Sequence, residues 1–410
     1  MRRCDAGRLE LGEGLEVLAG AVLDAAPPGE VVEMSVASRS IAHDLRTWAR
    51  LAGHEVTGEA PGAEGRWLVD VRRGRERRVL APPLPDRGEP ARLRSGRFHT
   101  GDWRAGPPPD VADPAAGFVP LGAVAEAGAP AFDWPLSRRD QVWADGLDRL
   151  VEGASAAQWD ASRDVPWAEA GSLPDFLEAA VCQVVTFIAQ NEYAAYYVPA
   201  RFLGAVSPAY AEVLLWLASH VHDEARHIEV FTKRALVNGG RAYALASAER
   251  SLHSLLLEHD FTASALLLNV LGEGSFIDLL EFVADHAPDA ATAAAARLAH
   301  RDELRHVHFG IAHVRRTLER DPGASSRLVA AVEERAARLL GLTGMNPAVT
   351  DALTVMAAGS MQPAQLSEGA RAVRSLMRRT AANRVARLLD AGFDQASARR
   401  MSDLHTPNLM

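Results

Sequence analysis

The sequence predicts a multidomain chain in which a small α/β unit precedes a larger, all-helical part. Three observations predict this class. Short helical and strand-like runs alternate up to residue 78, residues 79–138 hold 11 of the 23 prolines, and the long segments after residue 138 have helical spacing. Proline fixes φ and removes a backbone donor, so the proline-dense stretch excludes long helices. We therefore expect an α/β domain at 1–78, a proline-rich linker at 79–138 and a helical domain at 139–410.

The composition is that of a folded protein, because 48% of the 410 residues are hydrophobic and 24% are charged. The two cysteines exclude a disulfide framework and a cysteine-ligated metal site, and they favour a reducing, cytoplasmic location. A formal net charge of −9 argues against a nucleic-acid partner. The most apolar stretch, 252–271, is interrupted by Glu258 and Asp260, so we expect no membrane span.

The N-terminal unit begins with helical spacing at 15–23, which Pro27, Pro28 and Gly29 end. Apolar and polar residues alternate at 30–36, which predicts a strand, and the spacing at 40–51 predicts an amphipathic helix. Two strand-like runs, at 54–58 and 66–71, predict two more short strands. The run from PGEVVEMSVASRSIAHDLRTWARLAGHEV to GRWLVDVRR resembles the TusA/SirA family of small β-α-β-α-β-β sulfur-carrier domains.

That resemblance implies a Cys-Pro-x-Pro motif at the start of the first helix, where the cysteine carries a persulfide. This chain has Leu11, Gly12, Glu13 and Gly14 at the corresponding place, and Cys4 lies too early and lacks the prolines. A thiolate is the nucleophile that such chemistry needs. We therefore expect the fold to be kept as a docking or regulatory domain for a protein partner, without sulfur transfer.

The helical part contains eight candidate helices, at 139–154, 172–202, 208–238, 243–286, 289–320, 325–341, 347–358 and 365–403 with breaks. Glycine and proline separate them, most clearly at 204–208, 239–240 and 321–323. Ten of the 14 histidines fall between residues 220 and 313, within these helices.

Four of these helices carry acidic and histidine residues at regular spacing. Residues three apart on a helix lie on one face, so a Glu-x-x-His pair can direct an oxygen and an imidazole at one point. Carboxylate and imidazole ligands suit iron or manganese. The residues are Glu192 in FIAQNEYAAYY, Glu224 and His227 in HVHDEARHIEVF, Glu273 in LLLNVLGEGSF, and Glu303 and His306 in HRDELRHVHFG.

The spacing of these residues indicates an internal duplication. Glu192 precedes Glu224 by 32 residues, and Glu273 precedes Glu303 by 30. In the second helical hairpin both glutamates lie 14 residues, or about 21 Å, from the turn. They are therefore level across an antiparallel pair, and all six ligand candidates can converge in one bundle core.

This arrangement resembles the ferritin-like di-iron carboxylate family, of the oxygenase type, over residues 172–320. The resemblance implies a four-helix bundle with extra C-terminal helices and a cofactor of two iron ions, with Mn/Fe as the alternative. The resemblance assigns the family's ligand roles to matching positions of this chain. Glu192 and His227 are then expected to hold one metal, and Glu273 and His306 the other. Glu224 and Glu303 bridge the two.

Neighbouring residues have implied supporting roles. In the family, an Asp next to the bridging Glu accepts a hydrogen bond from the second N–H of a ligand histidine across the bundle. Asp223 and Asp302 occupy this position here. Arg226 and Arg305 are then expected to form salt bridges around it. His300 is a candidate seventh ligand or a solvent-facing residue, and four further histidines are expected on polar faces: His220, His222, His308 and His313. We expect Tyr193, Tyr196 and Tyr197 to be core or cavity-lining aromatics rather than radical sites.

The resemblance implies a non-haem di-iron oxygenase or oxidase that uses O2 and an external electron donor. Hydroxylation, N-oxygenation and desaturation of a small organic substrate are all open. One alternative is a ferritin-like ferroxidase or iron-binding protein. Another is a metal-stabilised interaction protein that docks through the TusA-like domain. The sequence does not define the substrate or the oligomeric state, and a homodimer is one of the open oligomeric states.

Overall fold

The computed structural model describes residues 2–75, 93, 95–104, 106–123, 125, 129–239, 248–339 and 346–405. The chain divides into two compact units. One comprises residues 1–88 and 115–131, and the other comprises 89–114 and 132–410. Part of the predicted proline-rich linker, 79–92, lies outside the described residues. The domain boundaries at 78 and 138 stay predictions.

The first unit is a four-stranded mixed sheet with two helices. Its elements are β1 (Arg2–Gly7), α1 (Leu15–Asp24), β2 (Val31–Val36), α2 (Arg39–Leu51), β3 (Glu55–Pro61) and β4 (Trp67–Arg72). The strand order is β1-β2-β4-β3, in which β1 runs parallel to β2 and the other pairs are antiparallel. The predicted small α/β unit is confirmed.

The residue pattern does not itself predict β1, because this strand lacks an alternation of apolar and polar residues, although the β-α-β-α-β-β resemblance implied a strand before the first helix. It lies at an edge of the sheet, and Arg2 and Arg3 are exposed there. The other elements follow from their patterns. Ser38 caps α2, since its Oγ accepts a hydrogen bond from the Ile41 amide at 3.2 Å. The unit has a core of its own, which includes Leu15, Met34, Leu45 and Val69 among others.

The second unit is almost entirely helical. Two short helices, α3 (Arg139–Val142) and α4 (Leu147–Ala156), precede the long helices α5 (Asp175–Leu203) and α6 (Ala211–Leu236). Then come α7 (Glu249–Leu256), α8 (Phe261–Ala265), a π-helical segment (Leu266–Glu273), α9 (Gly274–Asp285) and α10 (Ala290–Arg320). The last helices are α11 (Ala324–Arg338), α12 (Pro347–Ala358), α13 (Pro363–Asp390) and α14 (Gln395–His405).

The long helices form the predicted ferritin-like bundle. Helix α5 packs along α6, and α10 packs along α9 and the π-helical segment, so the bundle consists of two helical hairpins. Helices α6 and α10 also contact each other. The C-terminal helices pack on this bundle, α12 against α5 and α13 against α9. The predicted fold class is therefore confirmed. Among the described helices, none has the length and apolarity needed to cross a bilayer.

A buried cation joins three of the bundle helices at one end. The Arg234 guanidinium on α6 donates to both oxygens of Glu178 on α5, at 2.7 and 3.2 Å. It also donates to Asp289, the residue that caps α10, at 2.8 Å. The Arg234 side chain is fully buried, and both acidic partners are largely shielded from water. This network fixes the relative position of helices that carry the candidate metal ligands.

Candidate metal centre

The six residues predicted as metal ligands converge in the core of the bundle. Each helix of the bundle contributes: α5 supplies one glutamate, the π-helical segment one, and α6 and α10 one Glu-x-x-His pair each. All six side chains are at most 1% exposed. Their donor atoms fall into two clusters, and within each cluster the atoms lie within 4.8 Å of one another.

The first cluster contains Glu192, Glu224, His227 and Glu303. Nδ1 of His227 is its centre. This atom lies 3.2 Å from Oε2 of Glu224, 3.5 Å from Oε1 of Glu303 and 3.9 Å from Oε1 of Glu192. Three carboxylates therefore face one imidazole nitrogen.

The second cluster contains His220, Glu224, Glu273 and His306. Nε2 of His220 lies 3.0 Å from Oε1 of Glu273 and 3.3 Å from Oε1 of Glu224. Nδ1 of His306 lies 3.0 Å from the same Glu224 oxygen. The His220 and His306 rings stack, with centroids 3.8 Å apart.

Glu224 and Glu303 lie between the two Glu-x-x-His histidines. One oxygen of Glu224 faces His227 and the other faces His306, at 3.2 and 3.0 Å. Glu303 does the same at 3.5 and 3.4 Å. A carboxylate that presents one oxygen to each of two ligand groups has the geometry of a bridging ligand.

His220 is a candidate site residue that the sequence interpretation missed. We expected it on a polar face, but it is 2% exposed and belongs to the second cluster. The sequence spacing does place His220 on the same helix face as the ligand candidates, because His220, Glu224 and His227 lie at i, i+4 and i+7. The matching position on α10, four before Glu303, is Ala299, so the duplicated halves differ here.

Each Glu-x-x-His histidine is also held through its second ring nitrogen. Nε2 of His227, on α6, lies 3.3 Å from Asp302 on α10, and Nε2 of His306, on α10, lies 3.3 Å from Asp223 on α6. These are the cross-bundle contacts that the resemblance implied. A carboxylate can only accept here, so each Nε2 carries the proton and leaves Nδ1 facing the glutamates.

The two aspartates are fixed by a reciprocal network with two arginines. Arg305 donates to Asp223 at 3.1 Å and to Asp302 at 2.5 Å. Arg226 pairs with Asp223 and donates to Asp302 at 3.1 Å. Trp159 adds an indole N–H that donates to Asp302 at 2.6 Å, a contact the sequence did not predict. Burial opposes ionisation, but histidine and arginine partners lower the pKa of both aspartates below the usual value.

Burial and mutual proximity shift the pKa values of the ligand candidates. Burial, reinforced by Glu224, raises the pKa of Glu192 well above its usual value. Burial also opposes ionisation of Glu224, but its histidine neighbours outweigh that effect and hold its pKa well below the usual value. Burial lowers the pKa of His227 and His306, yet their carboxylate contacts raise it well above 6.5 overall. Protons on imidazoles thus balance buried carboxylates, and divalent cations can replace those protons.

The donor set fits a pair of divalent metal ions. Buried polar atoms are normally hydrogen-bonded. Here Oε1 of Glu192 and both oxygens of Glu303 make no hydrogen bond to any described residue. Four carboxylates carry four negative charges when ionised, which two divalent ions neutralise. Oxygen and imidazole donors without thiolate suit iron and manganese.

Several neighbouring residues differ from expectation. His300 is half-buried and belongs to neither cluster, whereas His222 and His308 are exposed as expected. His313 is fully buried and was wrongly expected on a polar face. Tyr193 and Tyr197 were wrongly expected in the core or a cavity wall, since they are 50% and 55% exposed. They lie one and five residues after Glu192, on the outward face of α5.

No protein-family model matches this chain, and no curated protein sequence matches it. Among solved structures, it is similar to variants of an R2-like ligand-binding oxidase. One, with an aerobically reconstituted Fe/Fe cofactor, is 17% identical, and 60% of this chain aligns with 94% of that chain at a TM-score of 0.47. Another, with an aerobically reconstituted Mn/Fe cofactor, has the same identity and coverage at a TM-score of 0.44. The packing of α5 along α6, and of α10 along α9 and the π-helical segment, itself defines the bundle.

Proposed function

We propose that this protein is a non-haem di-iron oxidase or oxygenase, with Mn/Fe as the alternative metal pair, which uses O2 to oxidise a small organic substrate. One observation carries the proposal: two fully buried Glu/His clusters share Glu224, and several of their donor atoms make no hydrogen bond to described residues. Glu192, His227, Glu273, His306 and His220 would hold the ions individually. Glu224 and Glu303 would bridge them.

The protein's own groups would prepare the site for this reaction. When bound, the two ions supply the redox chemistry that activates dioxygen. Asp302 and Asp223 accept hydrogen bonds from Nε2 of His227 and His306. The proton therefore stays on each Nε2, and the lone pair of each Nδ1 is available to bind a metal ion. The complete burial of the ligand side chains excludes bulk water from the reacting region.

Oxygen uptake by protein loaded anaerobically with Fe(II) tests this proposal. We expect about two iron ions per chain and rapid oxygen consumption with a transient visible absorption band. Glu224→Gln removes charge from both clusters, so the rate should fall at least tenfold. Glu229→Gln, on the same helix but exposed, is the matched control and should leave the rate unchanged.

Two results would overturn the proposal. One is an unchanged oxygen rate in the folded Glu224→Gln variant. The other is iron uptake far beyond two ions per chain, which a storage protein would show.

For the first unit we propose a sulfur-carrier-like fold that does not carry sulfur. Its element order, β-α-β-α-β-β, supports the likeness to the TusA/SirA family. Helix α1 begins at Leu15, directly after the four residues that replace the family's cysteine motif. Burial raises the pKa of Cys4 on β1, which makes it a poor nucleophile. Mass spectrometry after exposure to a persulfide donor should find no added sulfur on Cys4, and stoichiometric addition would contradict this.

A further inference from the structure

A small cavity lies directly beside the second cluster. Its walls come from α5, α6, α8, the π-helical segment and α10, and all of its lining residues are buried. His220 and Asn269 form the side nearest the cluster, because both contact Glu273, at 3.0 and 2.6 Å. These two side chains therefore contact both the cavity and the Glu273 carboxylate.

The lining of this cavity is apolar. Its aromatic and aliphatic residues include Phe202, Phe261, Leu268 and Phe309, beside Ala265. Three polar residues also line it, and each has partners elsewhere. His220 and Asn269 contact Glu273, and Ser264 accepts from Arg201 at 3.0 Å. A buried water needs two to four polar partners, so this cavity favours a small apolar molecule over water.

The size of the cavity limits its occupant further. Its free volume is about 20 Å³. A single water molecule needs about 10–15 Å³ by the same kind of measure, so there is room for one molecule of about two heavy atoms. An organic substrate of several heavy atoms does not fit. Apolar cavities of this kind stay dry and take up apolar gases such as xenon.

We propose that this cavity is a binding site for dioxygen, from which the gas reaches the second cluster past His220 and Asn269. The delivery of dioxygen to the second cluster rests on the proposed function, whereas binding of a gas depends only on the cavity. Dioxygen is apolar, diatomic and of matching size, and two residues of the cavity lining contact the Glu273 carboxylate of the second cluster.

Xenon tests the site without any metal in the protein. Crystals of the full chain would be pressurised with xenon and the gas located by its anomalous scattering. We expect one xenon atom between Phe261, Leu268 and Phe309. Ala265→Val adds two methyl groups to the cavity wall and should abolish that peak. Ala263→Val is the matched control, since Ala263 lies on the same helix, is equally buried and does not line the cavity.

Oxygen kinetics of the Fe(II)-loaded protein provide the second measurement. The rate constant for oxygen should fall at least tenfold in Ala265→Val and stay within twofold in Ala263→Val. Absence of xenon from the wild-type cavity, or equal oxygen rates in the two folded variants, would overturn the inference. A wild-type protein that binds xenon here but consumes no oxygen would contradict the proposed function and leave the gas site supported.

Discussion

At the scale of single residues, the centre depends on histidines whose two ring nitrogens have different tasks. Nε2 of His227 and of His306 faces an aspartate on the opposite helix, and Nδ1 faces glutamates. His220 is different, because its Nε2 faces Glu224 and Glu273 directly. The second cluster therefore has two imidazoles where the first has one, and the two candidate metal positions are chemically unequal.

Replacing His220 should weaken one metal position selectively. In His220→Leu we expect one ion to bind at least tenfold more weakly, while the other keeps its affinity, because the first cluster does not include this residue. Competition with a chromophoric chelator measures both affinities. His222→Leu, two residues away and exposed, is the control. Equal affinities in wild type and His220→Leu would exclude a ligand role.

His313 makes the stability of the helical unit depend on pH. Burial, assisted by Arg316 and opposed by the Trp143 carbonyl and Asp260, lowers the pKa of His313 to about 4. The unfolded chain binds this proton near pH 6.5, so stability is complete above that pH and falls as the pH drops toward 4. Between pH 6.5 and pH 4, protonation of His313 in the unfolded chain lowers the free energy of unfolding by about 3 kcal/mol.

Urea unfolding at pH 7 and pH 4.5 measures this dependence. His313→Gln should lose less stability between the two pH values than wild type, because it has no proton to gain. His308→Gln, exposed on the same helix, should behave like wild type. An identical pH dependence in wild type and His313→Gln would refute the assignment.

At this scale, the sequence predicted which side chains of the Glu-x-x-His pairs would come together. Glu224, His227, Glu303 and His306 follow from i, i+3 spacing, and helical geometry suffices to place them. His220 and His313 were misjudged because burial of a histidine depends on which face the neighbouring helix covers. That is a tertiary property. Trp159 was not predicted because it reaches Asp302 from outside the bundle helices.

At the scale of elements, the π-helical segment positions Glu273. Eight residues, Leu266–Glu273, adopt this wider helix between α8 and α9, and its last residue enters the second cluster. Asn269, four residues earlier, donates to Glu273 at 2.6 Å. Such segments are frequent at functional sites. The sequence predicted one continuous helix here, since apolar periodicity does not separate a π-helical stretch from an α-helix.

Gly310 on α10 permits the close approach of that segment. A Cβ at this position would lie 2.6 Å from Cβ of Asn269, so a side chain there must displace the residue that holds Glu273. We expect Gly310→Ala to lower the free energy of unfolding by about 1–3 kcal/mol. It should also weaken metal binding at the second cluster.

Gly153→Ala is the control for this substitution. Gly153 lies in α4, and the nearest atom to its added Cβ is 3.8 Å away, which is ordinary contact. Alanine is the better helix former by about 0.5–1 kcal/mol, so this change should be neutral or stabilising. Chemical unfolding and chelator competition compare the two variants. A Gly310→Ala protein with wild-type stability and metal affinity would show that the close approach of the π-helical segment to α10 at Gly310 is not needed.

At the scale of the whole molecule, the helical unit is built from two similar halves. Each half contributes one single-glutamate helix and one Asp-Glu-x-Arg-His helix, and the aspartates and arginines pair reciprocally between halves. The sequence predicted this duplication from residue spacing. It could not show that the N-terminal unit has a core separate from the bundle core, because two cores are distinguished only by contacts.

Anomalous diffraction at the iron edge, from crystals loaded anaerobically with Fe(II), tests the central claim most directly. We predict two iron peaks in the bundle, one beside Glu192 and His227 and the other beside Glu273, His306 and His220. Glu224 and Glu303 should lie within bonding distance of both. A single peak, or iron bound only outside these clusters in the folded protein, would contradict the assignment of a di-metal centre.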